Sequence, residues 1–214
     1  MKKQGAISAS ILALTSDWCV VNKPSGWLTR APDRPSVGDD RPVLRLALEQ
    51  ELGRKLWVVH RLDFETTGVL LYALNSEAHR RGSLAFEKHQ MKKTYRTLVV
   101  GVGSVAPVFK VNEAIEGRAA VTQFEVKRRF ANGIFEVLAR PLSGRRHQIR
   151  VHLASRGLPI LGDVQYEGAR EFAGIEFTRV ALHAEELALP LGEKFIAPLP
   201  LDFTQWLDKC GAVS

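Results

Sequence analysis

The feature that most constrains this chain is a turn signal between two strand-like runs. Asn132-Gly133 separates residues 119–130 from residues 134–142, and both flanks are rich in β-branched and aromatic residues. An Asn-Gly pair tolerates the backbone angles of a tight reversal, so the two runs are predicted to form an antiparallel hairpin across 129–134. Further strand-like segments lie at 18–22, 56–59, 68–74, 95–102 and 180–189. Val43, Leu44, Ala47, Leu48 and Leu52 recur at helical spacing and are closed by Gly53. Ser76 can cap a helix running to about His89, with Glu77 in its first turn, and 202–210 reads as a final helix. Strands thus come in runs with helices between only some of them. That predicts an α+β fold with a mixed, largely antiparallel central sheet flanked by helices and loops, not a regular βαβ winding. The Pro-, Asp- and Gly-rich stretch 30–42 reads as a surface loop. The length of 214 residues suits one domain, 1–214, or a compact pair of lobes.

Composition removes several classes of function. No apolar run approaches the roughly 20 residues that span a bilayer, so no membrane partner is expected. Met1, Lys2 and Lys3 precede a mildly apolar run, 6–14, that faintly resembles a signal peptide. Ser8 and Ser10 interrupt it and no convincing cleavage site follows, so it reads as the ordinary start of a domain. Cys19 and Cys210 are too few and too distant for a disulfide scaffold or a zinc site, which makes a reducing cytoplasm the expected compartment. Nucleotide loops, nucleophile elbows and dinucleotide fingerprints are all missing from the sequence.

Charge is more informative in its distribution than in its total of +7. Residues 171–214 hold seven acids and three bases, so residues 1–170 carry +11. Residues 127–156 contain eight Lys or Arg and one acid, Glu136. Such clustering suits a phosphate backbone, though a solvated basic face would look the same.

Three polar clusters stand out. His60-Arg61-Leu62-Asp63 follows an apolar strand, where a carboxylate is aimed by a rigid element; Asp63 could equally stabilise a turn. In Lys92-Lys93-Thr94-Tyr95-Arg96, cations precede an aromatic that could stack on a base or simply fill a core. The third is residues 143–152, where Gly144 permits an unusual backbone angle. A helix over 146–156 would place Arg146 and Arg150 on one face, although the alternation there also fits a strand. His147 and His152 are five apart and fall on different faces, which argues against zinc.

Together these clusters resemble the RluA family of pseudouridine synthases. HRLDFETTGVLL, residues 60–71, is similar to that family's catalytic loop, typically HRLDxxTSGLLL. KKTYRTLVVG (92–101) resembles its tyrosine segment, and SGRRHQIRVHLASRGLPILGDVQYEG (143–168) its long third motif. CVVNKPSGWLT near the start and ALHAEELALPL with APLPLDF near the end also fit, so the likeness spans about residues 11–207. Phe64 departs from the charged or polar residue usual after the Asp, Thr67 replaces a common Ser, and Arg146 replaces a common Thr.

The resemblance implies a pseudouridine synthase catalytic fold, a single catalytic domain without a separate N-terminal RNA-binding domain, and isomerisation of uridine in ribosomal or transfer RNA. It implies that Asp63 is the essential carboxylate, that Tyr95 stacks on the base and helps remove the carbon-5 proton, and that Arg150 pairs with Asp63. Arg61 would fill the stack vacated by a flipped base. Lys93, Arg145, Arg146 and His147 would contact RNA. No cofactor and no metal are expected, and a cytoplasmic monomer is the expected state. The competing readings are a non-catalytic RNA-binding protein and a glycosylase that releases the base.

Overall fold

The computed structural model describes residues 9–34 and 36–212, so the charged start of the N-terminal run, residues 1–3, lies outside the described residues. In chain order the elements are β1 (Ser10–Leu14), β2 (Trp18–Lys23), α1 (Leu44–Leu52), β3 (Trp57–Val58), β4 (Thr67–Ala73), α2 (Ser76–Glu87), β5 (Lys92–Val100), β6 (Val108–Asn112), β7 (Val121–Arg129) and β8 (Ile134–Pro141). There follow α3 (Gln148–Ala154), a 3-10 turn at Val164–Tyr166, β9 (Glu171–Phe172), β10 (Ile175–Glu176), β11 (Leu182–Ala188), β12 (Lys194–Ile196) and α4 (Leu201–Ala212). The class is α+β with mixed, largely antiparallel pairing, as the strand runs predict. A bridge between Leu28 and Val43 is parallel. Contacts divide the backbone into two compact units, Met1–Met91 with Leu187–Pro198, and Lys92–Glu186 with Leu199–Ser214.

In the first unit β1 pairs antiparallel with β2, and β2 and β3 both pair antiparallel with β4. Every residue of β4 is buried, which explains why its sequence reads as a continuous apolar run and not as an alternation. Trp18, Val20, Val69, Leu71 and Ala73 form the core with Ala78 and Ala85 of α2. The cap of α2 is Asn75, not Ser76: the Asn75 side chain accepts the Ala78 N–H at 2.8 Å. Gly53 closes α1 in the left-handed conformation, as its position after the last apolar residue predicts.

In the second unit the strands run β5-β8-β7-β6, each pair antiparallel. The β7–β8 reversal is the hairpin that Asn132-Gly133 signals. Phe130 N–H donates to the Ile134 carbonyl at 2.9 Å, and Gly133 takes φ +80°, where a side chain would be strained. Leu98, Phe124, Val137, Ile149, Leu153, Phe177, Phe203 and Trp206 build this unit's own core. Helix α3 starts at Gln148, two residues later than predicted. The left-handed residue of this segment is His147, at φ 53°, not Gly144. Arg146 therefore precedes the helix and does not share a helical face with Arg150.

Candidate active site

The first unit carries Asp63 and Arg61 on the loop between β3 and β4. Arg61 is exposed and Asp63 half-buried. The loop is clamped on both sides of Asp63. Before it, the buried Thr29 hydroxyl accepts the Leu62 N–H at 3.1 Å and donates to the Leu62 carbonyl at 3.2 Å. After it, the ammonium of Lys23, itself fully buried, donates to the carbonyls of Phe64 at 3.0 Å and Thr66 at 2.9 Å, and also to Pro24 at 2.9 Å. Thr66 N–H closes a turn onto the Asp63 carbonyl at 3.2 Å. His60 is structural in this unit: its Nε2 accepts the Leu71 N–H at 3.0 Å and its ring stacks on Phe86 at 4.5 Å between centroids. A carboxylate whose flanking backbone is pinned in this way cannot drift, which is what positional catalysis needs.

Neither clamp residue was expected from the sequence. Both come from the 19–29 segment, some 33 to 43 positions away from the backbone they hold. Thr29→Val, nearly isosteric, leaves both polar groups of Leu62 without their buried partner. We expect a loss of about 2 kcal/mol in unfolding free energy, read as a lower urea midpoint at unchanged slope.

The second unit carries Tyr95, Lys93, Arg145, Arg146, His147 and Arg150. Tyr95 is half-buried on β5, in register with Ala139 of β8. Lys93 donates to the Ser143 carbonyl at 2.9 Å, and burial lowers its pKa to about 8. Gln148 knits the following loop together. Its Oε1 accepts the Ser143 hydroxyl at 2.7 Å and the Arg145 N–H at 3.0 Å, while its Nε2 donates to the Val121 carbonyl at 2.9 Å. Arg145 reaches the Ala119 carbonyl at 3.1 Å, and Arg146 is exposed. His152 is buried with Nδ1 at 2.9 Å from the Thr122 hydroxyl and Nε2 at 3.0 Å from the Glu113 carbonyl, so both ring nitrogens serve the fold.

Arg150 is the most constrained of these groups. Its Nε and Nη2 grip Asp163 at 2.6 and 2.7 Å, Nη2 lies 3.3 Å from Gln165 Oε1, and the guanidinium sits 4.9 Å over the Tyr166 ring. The Tyr166 hydroxyl in turn meets His147 Nδ1 at 2.9 Å. Asp163 was missed in the sequence; the available signal was an acid directly after the apolar run 158–161 and Gly162. That glycine is required, since a Cβ there would lie 2.0 Å from the Arg179 carbonyl at φ +82°. The basic stretch 127–156 is also less uniformly cationic than its composition suggests. Lys127, Arg128, Arg140 and Arg150 are each paired with a carboxylate of the same unit.

Comparison with known proteins decides the family. The model of the RNA pseudouridylate synthase family matches residues 17–155, which include the clamped loop, Tyr95 and Arg150. The dual-specificity RNA pseudouridine synthase RluA of Haemophilus influenzae is 34% identical over 185 residues, covering 80% of this chain and 82% of that one. The chain belongs to the RluA-type RNA pseudouridine synthases. The tRNA pseudouridine synthase C of Yersinia pestis is 32% identical and covers 79% of this chain and 76% of its own length. Among solved structures, human RNA pseudouridylate synthase domain containing 4 superposes with a TM-score of 0.76 at 25% identity, covering 94% of this chain and 92% of that one. An RluA-type synthase is an isomerase: uracil leaves its ribose through nitrogen 1 and returns through carbon 5, within an RNA chain. The non-catalytic alternative is thereby set aside. Among the described residues, no helix is long and apolar enough to cross a membrane.

Proposed function

We propose that this synthase modifies a specific uridine in structured ribosomal or transfer RNA, with Asp63 as the reactive carboxylate and Tyr95 and Arg150 as its catalytic partners. The observation that carries the reading is the double clamp of Thr29 and Lys23 around Asp63, which leaves that carboxylate half-buried and aimed. Asp63 either adds to the anomeric carbon or promotes proton loss to a glycal, freeing the uracil to rotate and rejoin through carbon 5. Tyr95 stacks on the uracil and assists removal of the carbon-5 proton. Arg150 orients Asp63 for the reaction. Its fixed orientation on Asp163 supports that role.

The nucleotide must leave its stack to react, at a cost of a few kcal/mol. Arg61, exposed on the clamped loop, fills the gap. Arg145, Arg146 and His147 contact the backbone. Lys93 contributes by bracing the segment that carries them. The chemistry transfers no electrons and hydrolyses nothing, so the reading needs no cofactor and no metal. Both cysteines are free and buried, which suits a reducing cytoplasm, and a monomer suffices.

RNA labelled with tritium at uracil carbon 5 tests the reading. The synthase releases tritium and retains the base; release of free uracil instead would mean a glycosylase. Mapping pseudouridine in total RNA with and without the gene identifies the target. Arg146→Ala is expected to weaken RNA binding and to lower the slope of log affinity against log salt by about 0.7 to 0.9, one phosphate contact. An unchanged slope removes Arg146 from the interface.

A further inference from the structure

Phe64 follows the proposed reactive carboxylate directly. Its backbone is held twice: the Lys23 ammonium and the Gly26 N–H both donate to its carbonyl, each at 3.0 Å. Its side chain is not absorbed in the same way. The ring is only half-buried, and it belongs to neither hydrophobic cluster among the described residues. A single apolar side chain near a surface is ordinary. A ring on a pinned backbone, one residue from the reacting group, is less so. The Arg41 guanidinium lies over this ring, 5.7 Å from its centroid. Arg41 is exposed, and Asp39 orients it through Nε at 2.8 Å and Nη2 at 2.7 Å. A cation at this distance is attracted by the ring's electron-rich face. The result is a rigid aromatic step with a cation beside it, next to Asp63 in sequence and on the same clamped loop.

We propose that Phe64 and Arg41 form a subsite for the nucleotide adjacent to the target uridine. Its base stacks on the Phe64 ring and its phosphate meets Arg41. This rests on Asp63 being the reactive carboxylate. The physical need is plain. When the uridine flips out, its neighbour loses a stacking partner, and an aromatic ring offsets part of that loss for any base. Arg41 covers one face of the ring, so the opposite face is the one a base occupies. Larger bases overlap a phenyl ring more, so the subsite favours a purine neighbour.

The test uses RNA from cells that lack the gene, grown with uridine tritiated at carbon 5, because that pool contains the target. Initial tritium release is measured at limiting and at saturating RNA for wild type, Phe64→Leu, Phe64→Tyr, Arg41→Gln and Asp63→Asn. Phe64→Leu is expected to lose about tenfold at limiting RNA while its saturating rate stays within about threefold. Phe64→Tyr, which keeps the ring, should match wild type, and thermal melting shows whether each variant is folded. Arg41→Gln lies at an exposed position and reads the subsite without disturbing the loop. It should lose about threefold at limiting RNA and show a shallower salt dependence. Wild-type behaviour of folded Phe64→Leu at limiting RNA, or equal damage by the Tyr and Leu variants, overturns the proposal. If Phe64→Leu does not fold, wild-type behaviour of Arg41→Gln does so instead. The Asp63→Asn control separates the two claims. Turnover by that variant sinks the catalytic reading itself, whereas an inert Asp63→Asn beside an unaffected Phe64→Leu sinks only the subsite.

Discussion

Asp63→Asn is expected to reduce turnover by at least about 1,000-fold, a barrier increase of about 4 kcal/mol, while RNA affinity stays within about tenfold. The substitution keeps the shape of the side chain and removes its charge. The clamp consists of bonds to the backbone of Leu62, Phe64 and Thr66, made by Thr29 and Lys23, so it survives the change. Phosphate contacts, which dominate RNA affinity, are assigned to other residues in the proposed function. What is lost is the anionic oxygen to which the proposed mechanism assigns bond cleavage, and no other group in that proposal can replace it. Single-turnover tritium release with enzyme in excess separates slow chemistry from weak binding. Release at a rate within tenfold of wild type would remove Asp63 from the mechanism. The contrast with Thr29→Val is instructive. That change loosens the loop but leaves the carboxylate, so its activity loss should be partial and its stability loss the larger effect.

Much of this fold is legible in the sequence because its central elements carry strong patterns. β4 is an unbroken apolar run because both faces are covered. The β7–β8 hairpin is announced by Asn132-Gly133, and Gly133 indeed takes the left-handed angle. The elements that escape notice are those with little burial to imprint a pattern. β1 has no fully buried residue, and β6 has only Val111. The start of α3 is misread for a different reason: His147, not a glycine, occupies the left-handed position that Gly144 seemed to offer. The candidate residues themselves are visible as local clusters, but their holders are not. Lys23, Thr29 and Asp163 act on groups 13 to 43 positions away, and no local periodicity reports such a partnership. Lys23 in particular reads as an ordinary lysine at a strand end, yet it is the fully buried charge that pins the loop.

Asp163→Asn should then be the most damaging change outside the proposed reactive carboxylate, Asp63, through stability first and turnover second. Asp163 is 1% exposed and Arg150's side chain 9% exposed, and the two share a bidentate bond at 2.6 and 2.7 Å. Replacing one partner of such a pair is costly, because its two short bonds are lost in a poorly solvated place, at about 3–5 kcal/mol. For a chain of this size that lowers the melting temperature by roughly 10 °C or more. The exposed Arg30–Asp33 pair makes a useful comparison, since side chains 40% and 80% exposed gain little from pairing and Asp33→Asn should leave the melting temperature within about 2 °C. Tyr166 and Gln165 still touch the guanidinium, so Arg150 is not set wholly loose, but the two short bonds that hold it most tightly go with Asp163. Folded Asp163→Asn should therefore lose turnover at saturating RNA more than it loses RNA affinity. A variant with wild-type melting temperature and wild-type turnover would show that Arg150 needs no holder, and would leave the Arg150–Asp163 pair without a part in either stability or catalysis.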